Sequence, residues 1–222
     1  MSRRLLAAAC LMLSFSATQA AERWETLPPT PAAVAGAKTG YAAVNGIKVY
    51  YTRTGHGWPV VLLHGGLSNS DYWGNQVKAL SAKHTVISID SRGHGRSSRD
   101  EKPYGYDLMA DDVVAVLDHL KIPRADIVGW SDGAIIGIDL ALRHPDRIGK
   151  VFAFAANTQT AGVKDGVEKN PTFAAFIERA GKEYAKLSPT PKEYDAFVEQ
   201  ISHMWASQPN WKIGRASCRE RV

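Results

Sequence analysis

The spacing of apolar residues changes period several times along the chain, and each change predicts an element. Tyr41 to Thr54 alternates in twos around Asn45-Gly46, the pattern of two antiparallel strands joined by a type I′ turn. From Val60 onward the alternation gives way to short continuous apolar runs separated by stretches with helical spacing. The runs Val60 to Leu63, Thr85 to Ile89, Asp126 to Val128 and Lys150 to Phe154 read as strands. The intervals near Tyr72 to Ser81, Leu108 to Leu120 and Ala134 to His144 read as helices. In the last of these, Ile135, Ile136, Ile138, Leu140, Ala141 and Leu142 are the residues expected in the core. Strands that are apolar throughout belong to parallel sheets buried on both faces, and alternation of strand with helix covers both faces. The expected fold is therefore α/β: a mostly parallel sheet with helices on both faces and an antiparallel hairpin at its N-terminal edge.

After Pro171 the strand signals stop. Two helical stretches follow, Thr172 to Leu187 and Lys192 to Ala206, broken by Ser188-Pro189-Thr190-Pro191. Their content of Phe173, Phe176, Tyr184, Tyr194, Phe197, Met204 and Trp205 suits a partial helical cap over an apolar pocket, although aromatics at helical spacing also serve as plain core. The division expected is a Pro- and Ala-rich linker over 21–40, a core over 41–170 and the cap over 171–212.

The two ends read differently from the middle. Arg3 and Arg4, the apolar run Leu5 to Phe15 and the small residues ending Thr18-Gln19-Ala20 have the order of an export signal cleaved after Ala20. That order predicts a secreted or periplasmic protein. Cys10 as a lipidation site lacks a large apolar residue in Ala7-Ala8-Ala9 before it. No stretch reaches about 18 apolar residues, so stable membrane insertion is not expected. At the other end, Ile213 to Val222 has neither helical nor strand period and is rich in arginine. Its back-translation resembles a sequencing adapter read in frame, so these ten residues are expected to be non-native and the natural gene to continue after about Lys212.

The formal charge of +5 in 222 residues then shrinks, because without the two ends 22 basic residues face 21 acidic ones. A net +1 gives no electrostatic reason to invoke nucleic acid or an anionic membrane. Both cysteines, Cys10 and Cys218, also fall in the two ends. The intervening part therefore carries no disulfide and no cysteine-based metal site.

The candidate chemistry lies where strands end. Gly129-Trp130-Ser131-Asp132-Gly133 follows the strand ending at Val128 and opens the helix from Ala134. A serine between two glycines at such a junction sits on a tight, strained turn that exposes its hydroxyl as a nucleophile. The bland alternative is a serine that caps the helix. After the strand ending at Leu63 comes His64-Gly65-Gly66, whose glycines free backbone N–H groups to point into a cavity. The N–H of Gly66 and that of Asp132, the residue after the serine, are the expected oxyanion hole. His64, Gly65, Gly129, Trp130 and Gly133 are expected to support them. A third motif, Asp90-Ser91-Arg92-Gly93-His94-Gly95-Arg96-Ser97, lacks the spacing of a phosphate or dinucleotide loop. It reads as structural, with Asp90 and Arg92 fixing the loop and His94 outside the chemistry.

Taken in order, these three motifs closely resemble the α/β-hydrolase superfamily, over about Tyr41 to Trp211. The Gly-Trp-Ser-Asp-Gly elbow resembles that of the biphenyl hydrolase-like and valacyclovirase-like serine esterases and amidases. The resemblance implies a Ser-His-Asp triad with Ser131 as nucleophile, no metal and no organic cofactor, and a small-molecule acyl substrate. It also implies that the acid and the histidine follow the serine, on loops after later strands. After Ser131 the only histidines are His144 and His203, neither of which follows a predicted strand, and Asp165 and Glu168 lie in a predicted loop. The final strands, with the acid and the base, are therefore expected to be missing from this chain, which by itself is expected to be inactive. The expected activity of the full-length protein is hydrolysis of small carboxylic esters, lactones or activated amides through an acyl-enzyme. A lyase or carbon–carbon hydrolase on the same scaffold, or a catalytically silent binding protein, stands as the alternative. Substrate identity and oligomeric state are not written in these motifs.

Overall fold

The computed structural model describes residue 22 and residues 25–211. The expected export signal and the arginine-rich last ten residues lie outside them. Within the described residues six strands form one sheet: β1 (Lys38–Val44), β2 (Ile47–Thr54), β3 (Trp58–Leu63), β4 (His84–Ile89), β5 (Ala125–Trp130) and β6 (Ile148–Phe154). Their order in space is β1-β2-β4-β3-β5-β6. The pairs β3 with β4, β3 with β5, and β5 with β6 are parallel, whereas β2 pairs antiparallel with both β1 and β4. The hairpin turns where expected, because Asn45 and Gly46 both take positive φ, 48° and 85°, as a type I′ turn requires.

Among the described residues five α-helices accompany the sheet: α1 (Gly74–Leu80), α2 (Tyr106–His119), α3 (Asp132–Arg143), α4 (Pro171–Leu187) and α5 (Tyr194–Ser207). The helix expected from Tyr72 begins instead as a 3-10 turn, Ser70–Trp73, capped by the side chain of Asn69. Successive side chains of a strand point to opposite faces, and β3 divides the core accordingly. Val61 and Leu63 pack with Val113, Val116 and Leu117 of α2 and Ile135, Ile136 and Leu140 of α3. Val60 and Leu62 pack on the other face with Val77 of α1 and Val86 of β4.

Two expectations of burial fail. Ile138 is half-buried and Ala141 and Leu142 are exposed, Leu142 by 62%, because the packed stripe of α3 ends at Leu140, one turn before the helix does. Phe152 and Phe154 of β6 are 63% and 59% exposed. Among the described residues β6 is bonded on one side only, to β5, so its side chains lack the cover that β3 and β4 enjoy. The two helices after Pro171 exist as expected, but Tyr184, Phe197, Ile201 and Met204 are part of the main core. The pyrrolidine of Pro171 starts α4 just inside an Asn170 side-chain cap, a position where its missing N–H costs nothing.

Candidate functional site

Ser131 stands at the junction of β5 and α3 with φ 53° and ψ −120°, a conformation that costs a residue with a Cβ about 1–3 kcal/mol. Backbone hydrogen bonds on both sides hold it there. Its N–H donates to Phe154 O at 2.9 Å, and its carbonyl accepts from Ala134 N and Ile135 N at 2.8 and 3.0 Å. The flanking glycines are required by contact. A Cβ on Gly129 would overlap the Gly133 carbonyl, and one on Gly133 would overlap the carbonyl of Leu63 and come within 2.7 Å of that of His64. Ser131 occupies the N-cap position of α3, yet its side chain makes no capping hydrogen bond. The capping reading therefore fails.

The loop after β3 passes directly over this turn, with Ser131 Cβ 3.1 Å from where a Cβ of Gly65 would be. Three donors converge on the Gly65 carbonyl: Ser68 Oγ at 2.6 Å, His64 Nδ1 at 2.7 Å and Ser68 N at 3.3 Å. Ser91 N donates to His64 Nε2 at 3.0 Å, so the imidazole proton sits on Nδ1 and the ring is neutral, as its complete burial also favours. A peptide is planar and trans, so pinning the Gly65 carbonyl sets the direction of the Gly66 N–H on the opposite side. Ser68, which no sequence motif had marked, thereby joins His64 in orienting a candidate oxyanion donor. Its only sequence signal was its place four residues after His64.

The Asp90 loop has the structural role read from its sequence. Asp90 Oδ1 accepts from Ser70 N at 2.6 Å and Oδ2 from Arg96 N at 2.7 Å, tying the loops after β3 and β4 together. Arg92 is fully buried and forks onto both oxygens of Asp112 at 2.8 Å, with Asp100 at 3.0 Å. Asn45 donates to the same Asp112 at 2.9 Å, which fastens the hairpin turn to α2. His94 Nδ1 lies 2.9 Å from Arg92 O. Burial, with His64 beside it, lowers its pKa to about 3.

Asp132 differs from a usual first-turn acid because it is 6% exposed. Tyr106 donates its hydroxyl to Oδ1 at 3.0 Å, and Trp205 of α5 donates its indole N–H to Oδ2 at 2.8 Å. Burial pushes the carboxyl up to about 6 and these two bonds oppose the shift. Neither donor was singled out as a site residue in the sequence, since 26 and 73 residues separate them from Asp132. On the other side of the elbow, Trp130, Tyr72 and Phe176 pack ring against ring with centroids 6.1–6.2 Å apart.

The structure does not bring a histidine from beyond Ser131 to the elbow. His144 caps the far end of α3, whose 12 residues span about 18 Å, and its Nε2 lies 2.8 Å from Asp111. His203 is exposed on α5 with Glu199 at 3.9 Å. Asp165 lies in an exposed turn and Glu168 in a short 3-10 helix, Val167–Lys169. Among the described residues no three His, Cys, Asp or Glu side chains group as metal ligands. None of the described helices is long and apolar enough to cross a membrane.

A family model described as the alpha/beta hydrolase fold matches residues 59–186, more than half of the chain. A protein of Caulobacter segnis, provisionally named carbamate hydrolase RutD, is 46% identical over 104 residues, which are 43% of this chain and 39% of that protein. The human serine hydrolase BPHL is 36% identical over 135 residues, 57% of this chain and 46% of its own. Among solved structures, that of Est816, described as an N-acyl homoserine lactone degrading enzyme, superposes with a TM-score of 0.53 at 33% identity. The match covers 75% of this chain and 64% of Est816. Matches to the first curated relatives thus span about two fifths of those proteins' length.

Proposed function

Because the chain belongs to the alpha/beta hydrolase fold family, we propose that Ser131 is the nucleophile of a hydrolase acting on small carboxylic esters, lactones or activated amides. The Ser131 hydroxyl attacks the acyl carbon. The hydroxyl proton passes to a base or to water, and the oxygen that becomes negative is held by the N–H groups of Gly66 and Asp132. Its collapse breaks the acyl–oxygen or acyl–nitrogen bond so that the alcohol or amine leaves protonated; water then adds to the acyl carbon, freeing the acid and the serine hydroxyl. The observation that carries this reading is the strained backbone of Ser131 with its uncapped hydroxyl, directly beneath the pinned Gly65-Gly66 peptide. The descriptions of Est816, a lactone-degrading enzyme, and of BPHL, a serine hydrolase, support a lactone and a serine. The base is not assigned to His144, bonded to Asp111 at the far end of α3, or to His203, exposed on α5.

Acylation tests the reading without requiring turnover. Each oxyanion donor is worth roughly 10²-fold or more in the transition state, whether or not a base assists the serine. Slow stoichiometric labelling by p-nitrophenyl acetate is therefore expected, read as one acetyl adduct in the intact mass and mapped to Ser131. The adduct disappears in Ser131→Ala. Labelling that persists in that variant, or none in the parent chain, rejects the reading.

Export is proposed on Arg3, Arg4 and the apolar run Leu5 to Phe15. N-terminal sequencing of protein recovered outside the cytoplasm should begin at Ala21, and an intact Met1 there contradicts it.

A further inference from the structure

The Gly65-Gly66 dipeptide lies between two indoles. The ring of Trp130 comes within 3.2 Å of where a Cβ of Gly65 would stand. On Gly66 the six-membered ring of Trp205 occupies that place, with Asp132 Oδ2 2.7 Å from it. Trp205 is anchored twice. Its N–H is bonded to Asp132 Oδ2, and Phe197, Ile201 and Met204 of the same helix are buried in the core. Moving the indole would break a hydrogen bond to a buried carboxylate and leave that carboxylate with Tyr106 as its remaining donor.

Resting on the assignment of Ser131 as nucleophile and of Gly66 and Asp132 as oxyanion donors, we propose that Trp205 is a specificity-determining residue whose indole limits the size of the acyl group. An oxyanion lies about 3 Å from its donors, and the acyl carbon is about 1.2 Å beyond that oxygen. A ring in contact with Gly66 therefore bounds the space that the first carbons of the acyl chain must enter. The wall is one-sided. Trp130 opens onto the Tyr72 and Phe176 rings, whereas Trp205 is fixed by its bond to the residue that supplies the second donor.

The test uses the 222-residue chain and its Trp205→Phe and Trp205→Ala variants, each first shown to unfold cooperatively. The rate of Ser131 acylation is measured by intact mass for the p-nitrophenyl acetate, butyrate and hexanoate series. Removing the ring is expected to raise the hexanoate-to-acetate ratio about tenfold, since each methylene that gains apolar surroundings is worth about fourfold. Trp205→Phe, which keeps a ring and loses the N–H, should give a smaller rise in the same direction and serves if the alanine variant does not fold. An adduct on Ser131 with an unchanged ratio overturns the role of Trp205 and leaves the serine reading intact.

If no ester labels Ser131, the serine reading fails and the wall is judged by binding. Acetate and hexanoate are titrated into Ser131→Ala with and without Trp205→Phe, following the amide resonances of Gly66 and Asp132. Tighter hexanoate relative to acetate in the double variant supports the wall, and equal relative affinities overturn it.

Discussion

Gly129 and Gly133 approach so closely at the head of β5 that a Cβ on the first would overlap the carbonyl oxygen of the second. Neither glycine has a positive φ, so the requirement is for space, not for conformational freedom. The atoms in the way are backbone and cannot rotate aside. Gly129→Ala and Gly133→Ala are each expected to cost about 3 kcal/mol, the upper end for overpacking a core, measured by urea unfolding. A loss below about 1 kcal/mol would mean that strand and helix can separate there, removing the physical reason for both glycines.

Ser68 offers a milder perturbation of the same site. Ser68→Ala removes the shortest bond to the Gly65 carbonyl and leaves the His64 bond in place. The Gly66 N–H remains but loses part of its alignment. The rate constant for Ser131 acylation should fall about tenfold, short of the roughly hundredfold or more that deleting an oxyanion donor costs. The ester concentration giving half-maximal rate should stay constant, and Ser68→Thr should restore the rate. A change in that concentration with an unaltered rate constant would place Ser68 in binding instead.

Much of this was legible because local chemistry dictated it. Asn45-Gly46 tolerate positive φ, so the hairpin could be read from two residues. Val60 to Leu63 had to be a strand between two apolar layers, since both of its faces are apolar. The elbow glycines likewise announced the close approach of strand and helix. What could not be read depended on distant segments meeting. Trp205 was legible as an aromatic on a helix, but its bond to Asp132 depends on how α5 docks across the loops after β3 and β4. The exposure of Phe152 and Phe154 was equally hidden, because an apolar strand looks alike in sequence at the centre of a sheet and at its edge.

Arg92 should matter to the fold more than any exposed ion pair. Its side chain is fully buried and neutralises Asp112, itself 4% exposed and bonded to Asn45. Arg92→Ala leaves that carboxylate buried without its counter-charge, at a cost of about 3–5 kcal/mol. Arg92→Lys should recover only part of it, since an ammonium cannot fork onto both oxygens while also reaching Asp100. Equal stability of the lysine variant and the parent in thermal unfolding would show that charge alone, not the bidentate geometry, holds the hairpin to α2.

Asp132 should make stability fall as pH rises. Burial lifts its carboxyl from an ordinary 3.8 to about 6 against the opposing bonds from Trp205 and Tyr106, so the folded chain holds this proton more tightly than the unfolded one. Its contribution is complete below about pH 4 and is lost as pH climbs through about 6, by up to about 3 kcal/mol at 1.36 kcal/mol per unit. His64 and His94 slope the other way, because burial lowers their pKa values and acid must charge them inside the core. Comparison with Asp132→Asn separates the two effects, since the histidines are common to both proteins. Asparagine keeps an oxygen for Tyr106 but meets the Trp205 N–H with an NH2 group, a pH-independent penalty. The stability of the parent minus that of the variant, from urea unfolding at pH 4 and pH 7, should therefore shrink by about 2 kcal/mol, since part of the full effect lies outside that window. A difference constant to within about 0.5 kcal/mol would mean that water reaches the carboxylate, and with it that Trp205 does not seal this side of the elbow.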